Sequence, residues 1–155
     1  MSFFTSPPED GTLPLLYIMP TASHSSKAFA VSATNNGASI CVLDDDLSML
    51  KALDRLLKSA GFTVEKFSHP TAFLSAIEQA PCRVAILDVW MPDMNGLEVQ
   101  ACLRRDSPDT RIIFISGRDD PSVRQMALDA GAFGFLAKPF EDETLVQLIQ
   151  KAIAA

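Results

Sequence analysis

Five short apolar runs alternate with five amphipathic stretches from residue 39 onward. The runs lie at 39–43, 62–67, 83–87, 111–115 and 133–136, and they are rich in Val, Ile and Phe. Such runs between turn residues are typical of strands, and their nearly continuous apolar character indicates a sheet that is buried on both faces. Because strands and helices alternate, the sequence predicts an α/β fold with a doubly wound, five-stranded parallel sheet.

The stretches between the runs repeat their apolar residues at the spacing of a helix. Asp46 precedes the first stretch as an N-cap and Gly61 ends it, while Asp120 and Pro121 open the fourth and Gly131 closes it. The predicted helices cover 47–60, about 70–79, about 96–105, 121–130 and about 142–154. The first helix carries an apolar stripe formed by Leu47, Leu50, Leu53, Leu57 and Ala60.

The composition changes near residue 38. Residues 1–38 contain Pro7-Pro8, several Ser and Thr, and Asn35-Asn36-Gly37, which favours a flexible Pro/Ser-rich N-terminal extension. Residues 13–18 form a short apolar segment within it that could dock on another surface. The compact domain is therefore expected to cover 39–155.

Charge and cysteine content exclude several classes of protein. A net charge of −6 without a basic patch argues against nucleic acid as a direct partner. Cys41, Cys82 and Cys102 lack the spacing of a zinc site or a disulfide framework, which favours reduced thiols. The apolar segment at 15–19 is too short to span a membrane and lacks the basic flank of a signal peptide. We therefore expect a cytoplasmic protein with no membrane partner.

Ionisable and hydroxyl side chains stand at the ends of four of the predicted strands. In chain order these residues are Asp44 with Asp45, Asp88, Ser116 and Lys138. The carboxyl ends of parallel strands meet at one edge of a sheet, where sites form near a topological switch point. Carboxylates beside a buried core are costly unless they are paired or bind a metal. The sequence therefore predicts one acidic pocket containing all five side chains.

This set of groups suits a divalent cation and a phosphoryl group. Carboxylate oxygens are the ligands that Mg²⁺, or Mn²⁺, prefers, and Lys138 would offset part of the repulsion between them. An aspartate held by a metal and an ammonium group can attack phosphorus and form an acyl phosphate. Each residue alone is more commonly a cap or a turn residue, as we expect for Asp46, but the whole set at four strand ends indicates phosphoryl chemistry.

Four stretches resemble the receiver domain of two-component response regulators. They are C-V-L-D-D-D at 41–46, I-L-D-V-W-M-P-D-M-N-G at 86–96, I-F-I-S-G at 113–117 and A-G-A-F-G-F-L-A-K-P-F at 130–140. The resemblance covers residues 39–155. It implies a CheY-like, flavodoxin-like fold with five helices and the strand order 2-1-3-4-5.

The resemblance also implies roles for the acidic residues. Asp88 would be the phosphoacceptor and would take phosphate from a sensor histidine kinase or a histidine phosphotransfer protein. Asp45 and Asp88 would ligate Mg²⁺ directly and Asp44 through water, with the backbone carbonyl of Trp90 as a further ligand. The protein would be a signalling phosphoacceptor that catalyses only its own phosphorylation and slow autodephosphorylation.

Further roles follow from the same resemblance. Lys138 would pair with the acyl phosphate, Ser116 would close on it, and the bond from Lys138 to Pro139 would be cis. Phe135 matches the switch aromatic of the family, which turns inward when the hydroxyl residue moves, although it could equally be an ordinary core residue.

Two positions resemble those that tune the lifetime of the phosphate in this family. Trp90 stands two residues after Asp88, and Arg118 stands two residues after Ser116. Our hypothesis is that Trp90 shields the acyl phosphate from water. The alternative is an exposed tryptophan that packs only on its neighbours or on a partner protein.

The output of such a domain would lie on the face formed by helix 4, strand 5 and helix 5. Phosphorylation would shift this face towards a downstream protein target, or towards a homodimer. Candidate contact residues on it are Gln125, Met126, Asp129 and Phe135. Because no DNA-binding unit follows position 155, we expect either a stand-alone receiver that acts by protein contact or the receiver portion of a longer DNA-binding regulator.

Three other classes are less well supported. A Mg²⁺-dependent aspartyl phosphatase of the haloacid dehalogenase type needs a second aspartate two residues after Asp88, where this chain has Trp90. A nucleotide-binding fold would need a glycine-rich loop, which residues 131–134 do not form. A degenerate receiver that only binds partners is disfavoured because all five pocket residues are present.

Overall fold

Ten elements alternate along residues 37–155, the part of the chain that the computed structural model describes. The strands are β1 (Ser39–Leu43), β2 (Thr63–Phe67), β3 (Val84–Asp88), β4 (Arg111–Ser116) and β5 (Gly134–Ala137). The helices are α1 (Leu47–Ser59), α2 (Pro70–Gln79), α3 (Gly96–Asp106), α4 (Pro121–Asp129) and α5 (Asp142–Ala154). The expectations for residues 1–36, including the flexible extension and the segment at 13–18, lie outside the described residues.

All five strands are parallel and follow the order β2-β1-β3-β4-β5. This confirms the predicted α/β class, the five helices and the strand order. The chain leaves β1 to form β2 on one side and then crosses to β3 on the other side. The carboxyl ends of β1 and β3 therefore lie at the topological switch point of the sheet.

The three central strands are buried on both faces of the sheet. Leu43, Leu87 and Phe114 pack in a core with Phe73 of α2 and Val99 of α3. Successive strand residues point to opposite faces, and the residues that alternate with these are buried as well, for example Val42, Ile86 and Ile113. This double burial accounts for the nearly continuous apolar runs, and it fixes the strand ends that carry the polar groups.

The predicted helix signals have the expected geometry. The side chain of Asp46 accepts hydrogen bonds from the N–H groups of Ser48 and Met49 at 2.9 and 3.3 Å. Asp120 caps α4 in the same way. Gly61 and Gly131, which follow α1 and α4, have φ angles of 95° and 100°, a left-handed region that favours glycine. The start of α3 is capped by a reciprocal pair between Asn95 and Glu98 that was not predicted.

The placement of Leu47 on the buried stripe of α1 was wrong. Its side chain is 66% exposed, whereas Leu50, Leu53 and Leu57 are buried. Leu47 is the first residue of α1, and helical side chains lean towards the N-terminus of their helix. Its side chain therefore leans beyond the first turn of α1, where it lines a cleft with Asp45 and Met91.

Among the helices of residues 37–155, none is both long and apolar enough to cross a bilayer.

Candidate functional site

Asp44 and Asp88 lie side by side at the carboxyl edge of the sheet. Leu43 pairs with Leu87 in the β1–β3 register, and each aspartate is the next residue along its strand direction. Carboxylate oxygens of Asp44, Asp45 and Asp88 lie within 4.8 Å of one another. Asp44 is fully buried and Asp88 is 5% exposed, while Asp45 faces water. The fold therefore brings the three predicted carboxylates into one pocket that opens to solvent on the side of Asp45.

Lys138 supplies positive charge to this pocket. Its Nζ lies 3.2 Å from Oδ2 of Asp44 and 3.7 Å from Oδ1 of Asp88. Ser116 pairs with Ala137 in the β4–β5 register, and the Lys138 N–H donates to the Ser116 carbonyl oxygen at 2.7 Å. The peptide bond between Lys138 and Pro139 is cis, as expected. The end of β5 thus places the lysine beside the carboxylates of β1 and β3.

The negative charge of the pocket exceeds what the lysine offsets. Burial, together with the nearby charges of Asp44 and Asp45, raises the pKa of Asp88 to about 6, although Lys138 and the backbone N–H of Trp90 act in the opposite direction. Burial and like charge thus both disfavour the ionised Asp88. A divalent cation would relieve this repulsion, and the three carboxylates offer the hard oxygen ligands that Mg²⁺ prefers. The donor set of the pocket therefore fits Mg²⁺ or Mn²⁺.

Ser116 ends β4 and is fully buried. Its Oγ donates a hydrogen bond to the Arg118 carbonyl oxygen at 2.9 Å and accepts one from the Arg118 N–H at 3.1 Å. A side chain added at Gly117 would meet no atom within 4 Å. The loop after β4 therefore holds the hydroxyl in a tight turn and leaves open space next to it.

Trp90 and Arg118, which were predicted only as separate positions, contact each other. The guanidinium carbon of Arg118 lies 4.5 Å from the centroid of the Trp90 ring, within the range of a cation–π contact. Trp90 is 36% exposed. The contact joins the β3–α3 loop to the β4–α4 loop beside the pocket.

Phe135, one of the candidate contact residues of the output face, is largely buried but lines a groove on that face together with Arg124 and Leu128. It is 7% exposed and its ring centroid lies 6.1 Å from that of Phe114. Gln125, Met126 and Asp129 are exposed, as the interpretation requires. The ring of Phe135 already points into the core because β5 alternates its side chains between faces and this position faces inward.

Arg124 of α4 was missed by the sequence analysis. Its guanidinium carbon lies 4.8 Å from the centroid of the Phe135 ring, and its Nη2 lies 3.0 Å from Oδ1 of Asp119. It therefore connects β5 to the loop that follows β4. No sequence signal distinguishes it, because an arginine on an amphipathic helix is ordinarily a solvated residue.

A cleft adjoins the acidic pocket on its open side, and it was also missed. Its lining comes from the loops after β1, β2 and β3 and includes Asp45, Leu47, His69, Met91 and Pro92. The one available signal was position, since each of these residues follows a predicted strand. The cleft therefore opens onto the carboxylate of Asp45.

The sheet order and the lysine-paired acidic pocket at its switch point define the class of CheY-like α/β domains. Comparison with known proteins agrees. The response regulator receiver domain model matches residues 40–150, so the chain belongs to the response regulator receiver domain family.

Curated relatives and solved structures are consistent with this assignment. The response regulator protein TodT of Pseudomonas putida is 43% identical over 114 residues, which cover 74% of this chain and 50% of TodT. The transcriptional regulatory protein FixJ of Bradyrhizobium diazoefficiens is 37% identical over 74% of this chain and 56% of FixJ. The chain therefore spans about half the length of these relatives.

Among solved structures, the chemotaxis protein CheY4 of Vibrio cholerae matches with a TM-score of 0.70 and 31% identity, over 75% of this chain and 98% of CheY4. A CheY-like receiver domain protein from Methanospirillum hungatei JF-1 matches with a TM-score of 0.73 and 25% identity, over 77% and 95% of the two chains. Both share the fold described above.

Proposed function

We propose that this receiver domain accepts a phosphoryl group on Asp88 within a two-component phosphorelay. The observation that supports this most strongly is the environment of the Asp88 carboxylate. It is 5% exposed, lies 3.7 Å from the ammonium group of Lys138, and lies within 4.8 Å of two other carboxylates at the switch point of the sheet. Membership of the receiver family makes a histidine kinase or a histidine phosphotransfer protein the expected donor.

In this proposal each residue of the pocket has a separate task. A carboxylate oxygen of Asp88 attacks the phosphorus atom of a phosphohistidine, the P–N bond breaks, and its electron pair returns to the imidazole nitrogen of the donor. The ammonium group of Lys138 offsets the charge on the transferred phosphoryl oxygens, and the hydroxyl of Ser116 donates a hydrogen bond to one of them. The cleft beside Asp45 is the route by which the donor imidazole approaches.

Mg²⁺ or Mn²⁺ would be held by Asp45 and Asp88 directly, by Asp44 through water and by the backbone carbonyl of Trp90. When bound, the ion would supply the positive charge that three carboxylates and a phosphoryl group lack. The excess negative charge around Asp88, which raises its pKa, supports this assignment.

The central experiment is phosphorylation by acetyl phosphate with Mg²⁺, followed by intact-mass measurement. We expect one phosphoryl increment on the wild type and none on Asp88→Asn, which keeps the shape of the side chain but removes the nucleophile. Substitution Lys138→Met should slow the uptake strongly while leaving the site of modification unchanged. A wild-type protein that gains no phosphoryl mass from acetyl phosphate or from a phosphorylated kinase domain would overturn the proposal.

A second part of the proposal assigns Trp90 to protection of the acyl phosphate. Trp90 stands two residues after Asp88 and its ring stacks with Arg118, and in this proposal the ring covers a side from which water would attack. We expect Trp90→Asn to shorten the half-life of the phosphorylated form, since the smaller polar side chain admits water. The half-life can be followed by intact mass after removal of the donor. An unchanged half-life would reject the shielding role.

The output face is proposed to be the surface of α4, β5 and α5, acting on a downstream protein or on a second copy. Arg124 and Leu128 of α4 and Leu148 of α5 line a groove on this face. One solved neighbour is a beryllofluoride-activated NtrC4 receiver domain dimer. Phosphorylation should therefore change either the oligomeric state, measured by light scattering, or the capture of a partner in a pull-down.

Two settings for this output remain as candidates, both in the cytoplasm. One is a stand-alone receiver that acts by protein contact. The other is the receiver part of a longer transcriptional regulator, which is favoured by relatives such as FixJ that are about twice as long as the matched region. Measuring the mass of the endogenous protein in its own cells separates the two.

A further inference from the structure

The hydroxyl of Ser116 is already engaged by the backbone of Arg118. Both hydrogen bonds given above for its Oγ go to this one residue, at 2.9 Å to the carbonyl oxygen and at 3.1 Å from the N–H. Ser116 is fully buried, so water does not readily replace these bonds. For the hydroxyl to donate a hydrogen bond to a phosphoryl group on Asp88, its bond to the Arg118 carbonyl oxygen has to break.

The side chain of Arg118 adds a second restraint on the same turn. Its guanidinium group stacks on the Trp90 ring at 4.5 Å, and Trp90 belongs to the loop that follows Asp88. Residue 118 is thus held by its backbone on one side and by its side chain on the other. A rearrangement of residues 116–118 that frees the hydroxyl would have to shift the guanidinium group against the ring.

We propose that Arg118 is a positioning residue whose stack on Trp90 keeps the Ser116 hydroxyl bonded to the Arg118 backbone and so opposes phosphoryl binding. This inference rests on the proposed function of Asp88. When the competent arrangement of a site is only partly populated, the apparent affinity for a ligand falls by that fraction. An exposed cation–π contact has a strength that corresponds to about a two- to fivefold change in such a population.

Arg118 could instead favour phosphoryl binding through its positive charge. A guanidinium group near the pocket could attract the anionic phosphoryl group, in which case its removal would weaken binding. The two roles predict changes of opposite sign for the same substitution. The sign of one measurement therefore decides between them.

The test measures binding of beryllofluoride, a phosphoryl mimic, to the full chain with Mg²⁺ by isothermal titration calorimetry. Arg118→Gln and Trp90→Leu each remove the stack, and each should tighten binding by about two- to fivefold. The double variant should bind no more tightly than either single one, because both remove the same contact. In a Ser116→Ala background the effect of Arg118→Gln should disappear.

A matched control removes the same charge elsewhere. Arg105 pairs with Asp106 at the end of α3, at the opposite edge of the sheet, so Arg105→Gln should leave the affinity unchanged. Trp90 is the single tryptophan of the chain and provides an independent signal. Its emission should change when the wild type binds the mimic, and this change should be much smaller in Arg118→Gln.

The outcomes distinguish a failure of the positioning role of Arg118 from a failure of the phosphoacceptor role of Asp88. Weaker binding by Arg118→Gln, or additive effects in the double variant, would overturn the positioning role while leaving Asp88 as the phosphoacceptor. A wild type that neither binds the mimic nor gains phosphoryl mass would reject the proposed function and the positioning role together.

Discussion

Buried polar groups at the two edges of the sheet differ in whether the fold compensates them. At the amino edge, the hydroxyl groups of Ser107 and Thr110 lie 2.8 Å apart, and Thr110 donates to the carbonyl oxygen of Cys82 at 2.8 Å. At the carboxyl edge, Asp44 and Asp88 are buried with like charge beside them. The first edge satisfies its polar groups within the fold, whereas the second has more negative charge than Lys138 balances.

This difference separates structural polar residues from functional ones. Neutral hydroxyl groups that find partners within the protein stabilise the junction of α3, β3 and β4. Clustered carboxylates destabilise the folded state, and in the proposed function they bind a cation and a phosphoryl group. Substitutions at the two edges should therefore change stability and phosphorylation in different combinations.

The largest expected effect is a gain of stability from Asp88→Asn without metal. The pKa of Asp88 is raised from 3.8 to about 6 in the folded state, so folding favours its protonated form. The associated stability is present at low pH and is lost as the pH rises from about 4 through about 6. At 1.36 kcal/mol per pKa unit, the ionised wild type should be less stable than the asparagine variant by up to about 3 kcal/mol at neutral pH.

Urea unfolding in EDTA at several pH values checks this prediction. The difference between the two proteins should be small near pH 4 and should grow towards pH 7. Added Mg²⁺ should then stabilise the wild type more than the variant. A difference that does not depend on pH would show that the charge of Asp88 is not the cause.

Two glycine substitutions test how closely residues pack at the carboxyl edge of the sheet. A Cβ at Gly96 would lie 2.5 Å from the Asp88 carbonyl oxygen and 2.9 Å from Cε1 of Phe114, whereas a Cβ at Gly117 would meet nothing within 4 Å. We expect Gly96→Ala to lower the free energy of unfolding by about 1–3 kcal/mol and Gly117→Ala to change it little. Denaturant unfolding measures both, and equal effects would contradict the packing described for Gly96.

The smallest of these effects tests the amino edge. Thr110→Val removes the hydroxyl that joins Ser107 to Cys82, and we expect a loss of about 1–2 kcal/mol because buried polar groups lose their partner. Thr110→Ser should restore most of the stability, since it keeps the hydroxyl. Phosphoryl uptake at Asp88, measured under conditions in which each variant is folded, should stay at the wild-type level. A loss of phosphoryl uptake in folded Thr110→Val would contradict the purely structural role of the amino edge.

The convergence of the acidic residues could be predicted from the sequence because it depends on topology alone. Parallel strands that end together bring Asp44, Asp88 and Lys138 to one edge, whatever rotamers they adopt. The helix limits were predictable for the same kind of reason, since Asp46 and Gly61 act through the backbone next to them.

What the sequence could not supply depends on side-chain conformation and on where the sheet ends. The apolar period of α1 included Leu47 because spacing does not show that the first residue of the helix is exposed. Trp90 and Arg118 were recognisable as positions, but their contact depends on the directions of two long side chains from separate loops. The contact of Arg124 with Phe135 is of the same kind.

Asp45 differs from its two acidic neighbours because its side chain faces water. A hydrated cation can therefore exchange with the bulk through that side without any opening of the fold. In the proposed function, binding of the ion would therefore stay in rapid equilibrium with the free ion in solution. The lifetime of the phosphorylated state would then depend on the hydrolysis of the acyl phosphate at Asp88. The rate at which the ion binds would not limit it.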